Sequence, residues 1–132
     1  MKGMAVVLLL IAGLVAATVS GGERMQRKSE ALLSDAPEEA NALRNPYEGQ
    51  SDAVLAGAKL YKRHCAKCHG DDATGSEEAP SLRRPVVQNA SPGALFWFLK
   101  NGNMRSGMPS WAGLPEQRRW QLVSYLKALK PE

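Results

Sequence analysis

An all-α fold follows from three observations on this chain of 132 residues. Apolar residues recur at helical spacing over residues 51–64, a Ser-Pro start and a Gly stop bracket a short apolar run over 91–102, and a third periodic stretch runs from about 115 to 129. The connections are rich in Gly and Pro, with no internal repeat and no β-rich run. In the first stretch Ser51 or Asp52 can cap a helix reaching His64, with Val54, Leu55, Ala58, Leu60 and Tyr61 on or beside its apolar face. Gly57 stands inside it, and a bare glycine costs about 1 kcal/mol in a helix interior, which points to close contact with another helix. In the second stretch Ser91 is the cap, Pro92 the first helical residue, and Gly102 lies just beyond the end. Phe96, Trp97, Phe98 and Leu99 make this helix apolar almost all round, the pattern of a helix buried on several sides. In the third, Leu122, Tyr125, Leu126 and Leu129 form the inner face, while Arg118, Lys127 and Lys130 lie outside or at its end.

The residues that carry chemistry come at the end of the first helix. Cys65-Ala66-Lys67-Cys68-His69 uses both cysteines of the protein, and this CxxCH order is the attachment pattern of a c-type haem. Each thiol adds to one haem vinyl group to give a thioether, and the next residue presents a ring nitrogen to the iron. Three other chemistries fit less well. A structural zinc site closes with four Cys or His ligands, which would crowd His64, Cys65, Cys68 and His69 into six consecutive residues. A thioredoxin-like pair sits in a βαβ pattern that is missing here. A plain disulfide would close a strained short loop and leave the adjacent histidine unexplained. The expected cofactor is therefore one covalent haem c with its iron. It would be held by a small domain over residues 47–132, whose ~85 residues bury only a modest core of their own.

The first 46 residues read differently. Lys2 precedes an uncharged stretch over residues 3–22 with an apolar heart at 4–19. As a helix those sixteen positions reach about 24 Å, short of the roughly 30 Å hydrocarbon core, which leans towards a cleaved signal peptide over 1–22. The small-x-small pattern at Thr18-Val19-Ser20 is loose, so a retained membrane anchor is the open alternative. Either fate sends the rest of the chain out of the cytoplasm, to the periplasm or its equivalent, where haem attachment to exported cysteines is plausible. Residues 23–46 read as a polar linker, because Leu32, Leu33 and Leu43 are too sparse for a core-forming helix, although Ser34-Asp35-Ala36-Pro37 can cap a short one. With an anchor retained, ~24 flexible residues would span about 25 to 30 Å.

Over residues 53–129 the chain resembles the class I cytochrome c family. The likeness rests on a helix with Gly57 and Tyr61 before CxxCH, a Gly-rich loop after it, the Met108-Pro109 pair, and a C-terminal helix, in that order. The resemblance implies a small cytochrome c fold of about three main helices around the haem, with Gly57 and Tyr61 meeting Tyr125 and Leu126. It makes His69 the proximal iron ligand and Met108 the distal one. Met104 offers the other thioether of the same loop but lacks a following proline to hold the backbone extended, and reads as core filling. The resemblance also implies that the carbonyl of Pro80 receives the second nitrogen of His69 and that Leu82 lies against the porphyrin. Trp97 is expected among the haem contacts of the second helix. Arg83, Arg84 and Trp111 are lesser candidates for the haem carboxylates, since solvated charge or packing is the ordinary role of such residues. Gly70 and Gly75 allow the turns after the motif, and His64 is expected to be exposed or capping.

With His69 and Met108 both bound, the iron has no position open to substrate, so the expected role is single-electron transfer and not catalysis. Thioether ligation would raise the potential. The expected partners are redox proteins such as a dehydrogenase, a respiratory complex or a terminal oxidase, with membrane association if the N-terminal segment is retained. From Tyr47 onward twelve Lys or Arg face eight Asp or Glu, a weakly positive surface suited to mild steering towards an acidic partner. Nucleic-acid binding has no support, because the aromatics are placed as core. If Met108 were unbound, an open distal site would make the domain a peroxidase-like enzyme or a small-ligand sensor.

Overall fold

The computed structural model describes residues 21–132, so the apolar stretch over 4–19 lies outside the described residues. The helices in chain order are α1 (Gly21–Ser34), α2 (Glu38–Asn41), α3 (Ser51–His64), α4 (Ala66–His69), α5 (Pro85–Gln88), α6 (Pro92–Asn101) and α7 (Glu116–Ala128). Among the described residues there is no strand, only an isolated antiparallel bridge between Asn103 and Met108. None of the described helices is long and apolar enough to cross a membrane.

The three main helices α3, α6 and α7 coincide with the three periodic stretches. Ser91 caps α6 by accepting the Ala94 N–H at 3.0 Å, Pro92 opens the helix, and Gly102 ends it at φ 66°. Helix α3 packs along α7. The buried stripe of α3 is Ala53, Gly57, Leu60 and Tyr61, whereas Leu55, expected on or beside this face, is 62% exposed. The small residues decide that rotation: at Gly57 the backbone of Gln121 occupies the space a side chain would need. Tyr61 stacks at a tilt on Tyr125, centroids 5.1 Å apart.

Helix α7 is buried over a wider arc than the four residues expected, taking in Arg119, Trp120, Val123 and Ser124 as well as Leu122 and Leu126. It has two neighbours to satisfy, α3 on one side and α6 on the other. Trp120 stacks flat on Phe96 of α6, centroids 4.0 Å apart at 11°.

Residues 23–46, expected as an unpacked spacer, are largely helical and packed. Leu33, Ala36, Ala40 and Asn45 are buried, and Leu33 joins the main core. Periodicity missed this because the attachment is not an apolar stripe. Gly93 of α6 lacks the Cβ that would stand 1.8 Å from the Ala40 carbonyl oxygen, so α2 can sit directly on α6. Ser91 donates its hydroxyl to Asn41 Oδ1 at 2.8 Å, the Asn45 amide donates to Ser124 Oγ at 2.8 Å, and Arg84 forms an ion pair with Glu30 of α1.

Candidate haem site

Cys65 ends α3, its N–H still bonded to the Tyr61 carbonyl at 2.8 Å, and the chain turns at once into the single turn of α4. His69 closes that turn, its N–H bonded to the Cys65 carbonyl at 2.9 Å. Gly70 (φ 82°) then leaves the helix and Gly75 (φ 87°) folds the loop back. A Cβ on Gly75 would lie 2.5 Å from the Ser81 nitrogen, so glycine is what lets residues 80–82 pass this close. The return brings the Pro80 carbonyl to 2.8 Å from His69 Nδ1. A carbonyl can only accept, so Nδ1 carries the proton and Nε2 keeps its lone pair. Burial pushes the His69 pKa below its ordinary value, against the opposing pull of the Pro80 bond. The ring is therefore neutral at neutral pH, as a metal ligand must be.

No disulfide joins the two cysteines, of which Cys65 is half-buried and Cys68 exposed. Burial pushes the Cys65 thiol up to about 11, and desolvation with a hydrogen bond to Glu78 raises that of Cys68. Neither is a reactive thiolate at neutral pH.

The distal loop is a tight reversal after α6. Asn103 and Met108 exchange backbone hydrogen bonds of 2.9 and 3.0 Å around the 3₁₀ turn Met104–Ser106. Gly102 again permits the close approach, since a Cβ there would stand 2.5 Å from the Pro109 oxygen. The Trp111 N–H bonds to the Leu99 carbonyl at 2.9 Å and the Ser110 hydroxyl to the Lys100 carbonyl at 2.6 Å, fastening the loop to the end of α6.

A cavity of about 320 Å³ opens between these parts, and Cys65, Cys68, His69, Pro80, Leu82 and Met108 all line it. Trp97 is not on its wall. Leu95, Phe98 and Leu99 supply the contribution of α6 instead, because positions 95, 98 and 99 share one helical face and 97 lies off it. Met104 is 71% exposed, so it fills no core, contrary to expectation. Arg84, Trp111 and His64 line the cavity, and the His64 ring rests on Trp111 with centroids 5.0 Å apart. Arg83 instead donates to the backbone carbonyls of Asp72 (2.6 Å) and Lys130 (3.1 Å). The set fits haem c: two thiols and an imidazole in the CxxCH turn, a thioether on a second loop, and a largely aliphatic and aromatic wall between.

One positioning residue went unread in the sequence. Arg119 is buried, and its Nη1 donates to the carbonyls of Leu114 (2.7 Å) and Ala112 (3.0 Å), tying the segment after Met108-Pro109 to α7. Its guanidinium lies 5.0 Å from the centre of the Phe96 ring. The available signal was spacing, since 119 precedes 122, 126 and 129 on the inner face of α7.

A helical domain that gathers CxxCH and a second thioether around one cavity defines a monohaem c-type cytochrome with covalent haem c, and comparison with known proteins agrees. Residues 52–126 match the family model for cytochrome c oxidase, cbb3-type, subunit III, and the chain belongs to that family. It is 34% identical over 98 residues to cytochrome c550 of Pseudomonas aeruginosa, covering 69% of this chain and 66% of that protein. It is 39% identical over 69 residues to the quinohemoprotein alcohol dehydrogenase ADH-IIG of Pseudomonas putida, covering 49% of this chain and 9% of that one. A third relative is the cbb3-type cytochrome c oxidase subunit FixP of a Bradyrhizobium species, 38% identical over 64 residues, covering 46% of this chain and 21% of the relative. The chain thus spans less than two thirds of each of these curated relatives. Among solved structures, cytochrome CL of Methylophaga aminisulfidivorans superposes with a TM-score of 0.57 at 25% identity, over 64% of this chain and 58% of that one.

Proposed function

We propose that this protein carries single electrons between redox proteins outside the cytoplasmic membrane, through a haem c ligated by His69 and Met108. When bound, the haem supplies the one-electron couple of its iron. Cys65 and Cys68 tether it. His69 offers Nε2, held in orientation by the Pro80 carbonyl at 2.8 Å. Met108 would supply the second iron ligand from the distal loop, and no open site would then remain for a substrate. Leu82, Leu95, Phe98 and Leu99 exclude water from the site.

The observation that carries this reading is that Met108 lines the same cavity as His69 while Met104, on the same loop, faces solvent. The open-site alternative would need the Met108 side chain clear of the cavity. Export rests on the apolar segment at 4–19. The partner class draws support from relatives named as an alcohol dehydrogenase and a cbb3-type oxidase subunit, so the donor or acceptor is read as a dehydrogenase, a respiratory complex or a terminal oxidase.

The test is to challenge the purified holoprotein with carbon monoxide in the reduced state and imidazole in the oxidised state. Spectra unchanged by either ligand at millimolar concentration are expected. Ready binding of both to the wild type would move the protein to the catalytic or sensing class.

A further inference from the structure

Asn103 holds a buried amide whose nitrogen has no partner. The residue is 6% exposed, it lines the haem cavity, and its Nδ2 is shielded from solvent without a hydrogen bond. Leaving a buried N–H unmade is costly, so such a group calls for an acceptor in the working state of the site.

Two observations identify that acceptor. Asn103 and Met108 are directly opposite one another in the antiparallel bridge, joined by backbone bonds of 2.9 and 3.0 Å. Residues so paired project their side chains to the same side, which puts the amide and the thioether on one side of the bridge. In addition, Nδ2 is already covered by protein atoms. That favours a partner within the loop over a haem carboxylate, which would need an open approach.

We propose that in the haem-bound protein the Asn103 side chain donates an N–H to the Met108 sulfur. This rests on Met108 being the distal ligand. The thioether sulfur has one lone pair for the iron and a second that can accept weakly. An N–H on that second pair fixes the rotation of the side chain and draws electron density from the sulfur. Weaker donation to ferric iron favours the ferrous state, so Asn103 is a positioning residue that raises the potential.

The experiment uses the full-length holoprotein with Asn103→Leu, which removes the donor at similar volume, and Asn103→Gln, which keeps an amide. The readouts are the midpoint potential and the near-infrared sulfur-to-iron band of the ferric form. In Asn103→Leu the band persists but is displaced, and the preference for ferrous iron falls about three- to tenfold, the upper end being about 59 mV for a one-electron couple. Asn103→Gln recovers part of both changes. In the ferrous wild type, a nuclear Overhauser contact joins the Asn103 side-chain amide protons to the Met108 methyl group, a readout that needs no variant to fold. An unmoved band and potential in folded Asn103→Leu would overturn the proposal. So would a changed potential with an unmoved band, the mark of a carboxylate acceptor. A wild type lacking the band altogether would instead defeat the ligation by Met108 on which the proposal stands.

Discussion

The carbonyl oxygen of Gln121 lies only 2.0 Å from where a Cβ on Gly57 would be, so α3 and α7 meet backbone to backbone at this point. Alanine is worth about 1 kcal/mol more than glycine in an isolated helix, but here the added methyl group meets a carbonyl that cannot rotate away. Gly57→Ala is expected to destabilise the holoprotein by about 1–3 kcal/mol, the cost of overpacking. Denaturant unfolding followed by circular dichroism reads this, and a variant as stable as wild type would contradict the crossing described.

Tyr61 links that crossing to the haem loop, donating its hydroxyl to the Gly70 carbonyl at 2.7 Å. Burial raises its pKa above the ordinary value of 10.0. The folded protein thus keeps a proton that the unfolded chain loses, and stability is full below about pH 10 and falls as pH rises beyond it. Tyr61→Phe is expected to cost about 1 kcal/mol below pH 10, the net worth of one hydrogen bond. Above pH 10 the gap to wild type should narrow, because only the wild type loses stability through this group. Parallel curves from pH 7 to 11 would count against the assignment.

Phe98 and Trp97 are adjacent in sequence but differ in what they touch, since only Phe98 lines the cavity. Phe98→Ala should destabilise the holoprotein by about 3 kcal/mol, the low end for a large aromatic because the ring is only half-buried. It should also change the haem absorption by admitting water. Trp97→Ala should leave the haem spectrum as it is. The reverse pattern in absorption and melting experiments would return Trp97 to the site.

Leu33 tests whether the N-terminal helices belong to the folded unit in solution. It is 9% exposed, sits in the main core and lines the haem cavity. Leu33→Ala in the full chain is expected to cost about 2 kcal/mol and to lower the thermal midpoint. An unchanged midpoint would mean that α1 does not hold this position.

The cavity-lining residues of the CxxCH turn and of the Met108 loop were legible because their signals are local. CxxCH is contiguous, Ser91, Pro92 and Gly102 mark helix ends by their own backbone preferences, and Met108 is marked by the proline after it. What was hidden depends on partners far along the chain. The docking of residues 23–46 turns on a missing Cβ at Gly93 and on the bond from Asn45 to Ser124, neither visible as a periodic pattern. Trp97 was misplaced because a helix apolar on every side does not declare which face meets the cavity. Arg119 sits in a run that reads as solvated charge, yet its Nη1 donates to three backbone carbonyls of the loop that precedes α7.

The central claim is that one particular methionine completes the coordination of the iron, and the near-infrared sulfur-to-iron band of the ferric protein tests it most directly. Wild type and Met104→Ala should both show the band, since Met104 faces solvent, while Met108→Ala should lose it and bind added imidazole readily. A band that survives in Met108→Ala, or disappears in Met104→Ala, would contradict the account.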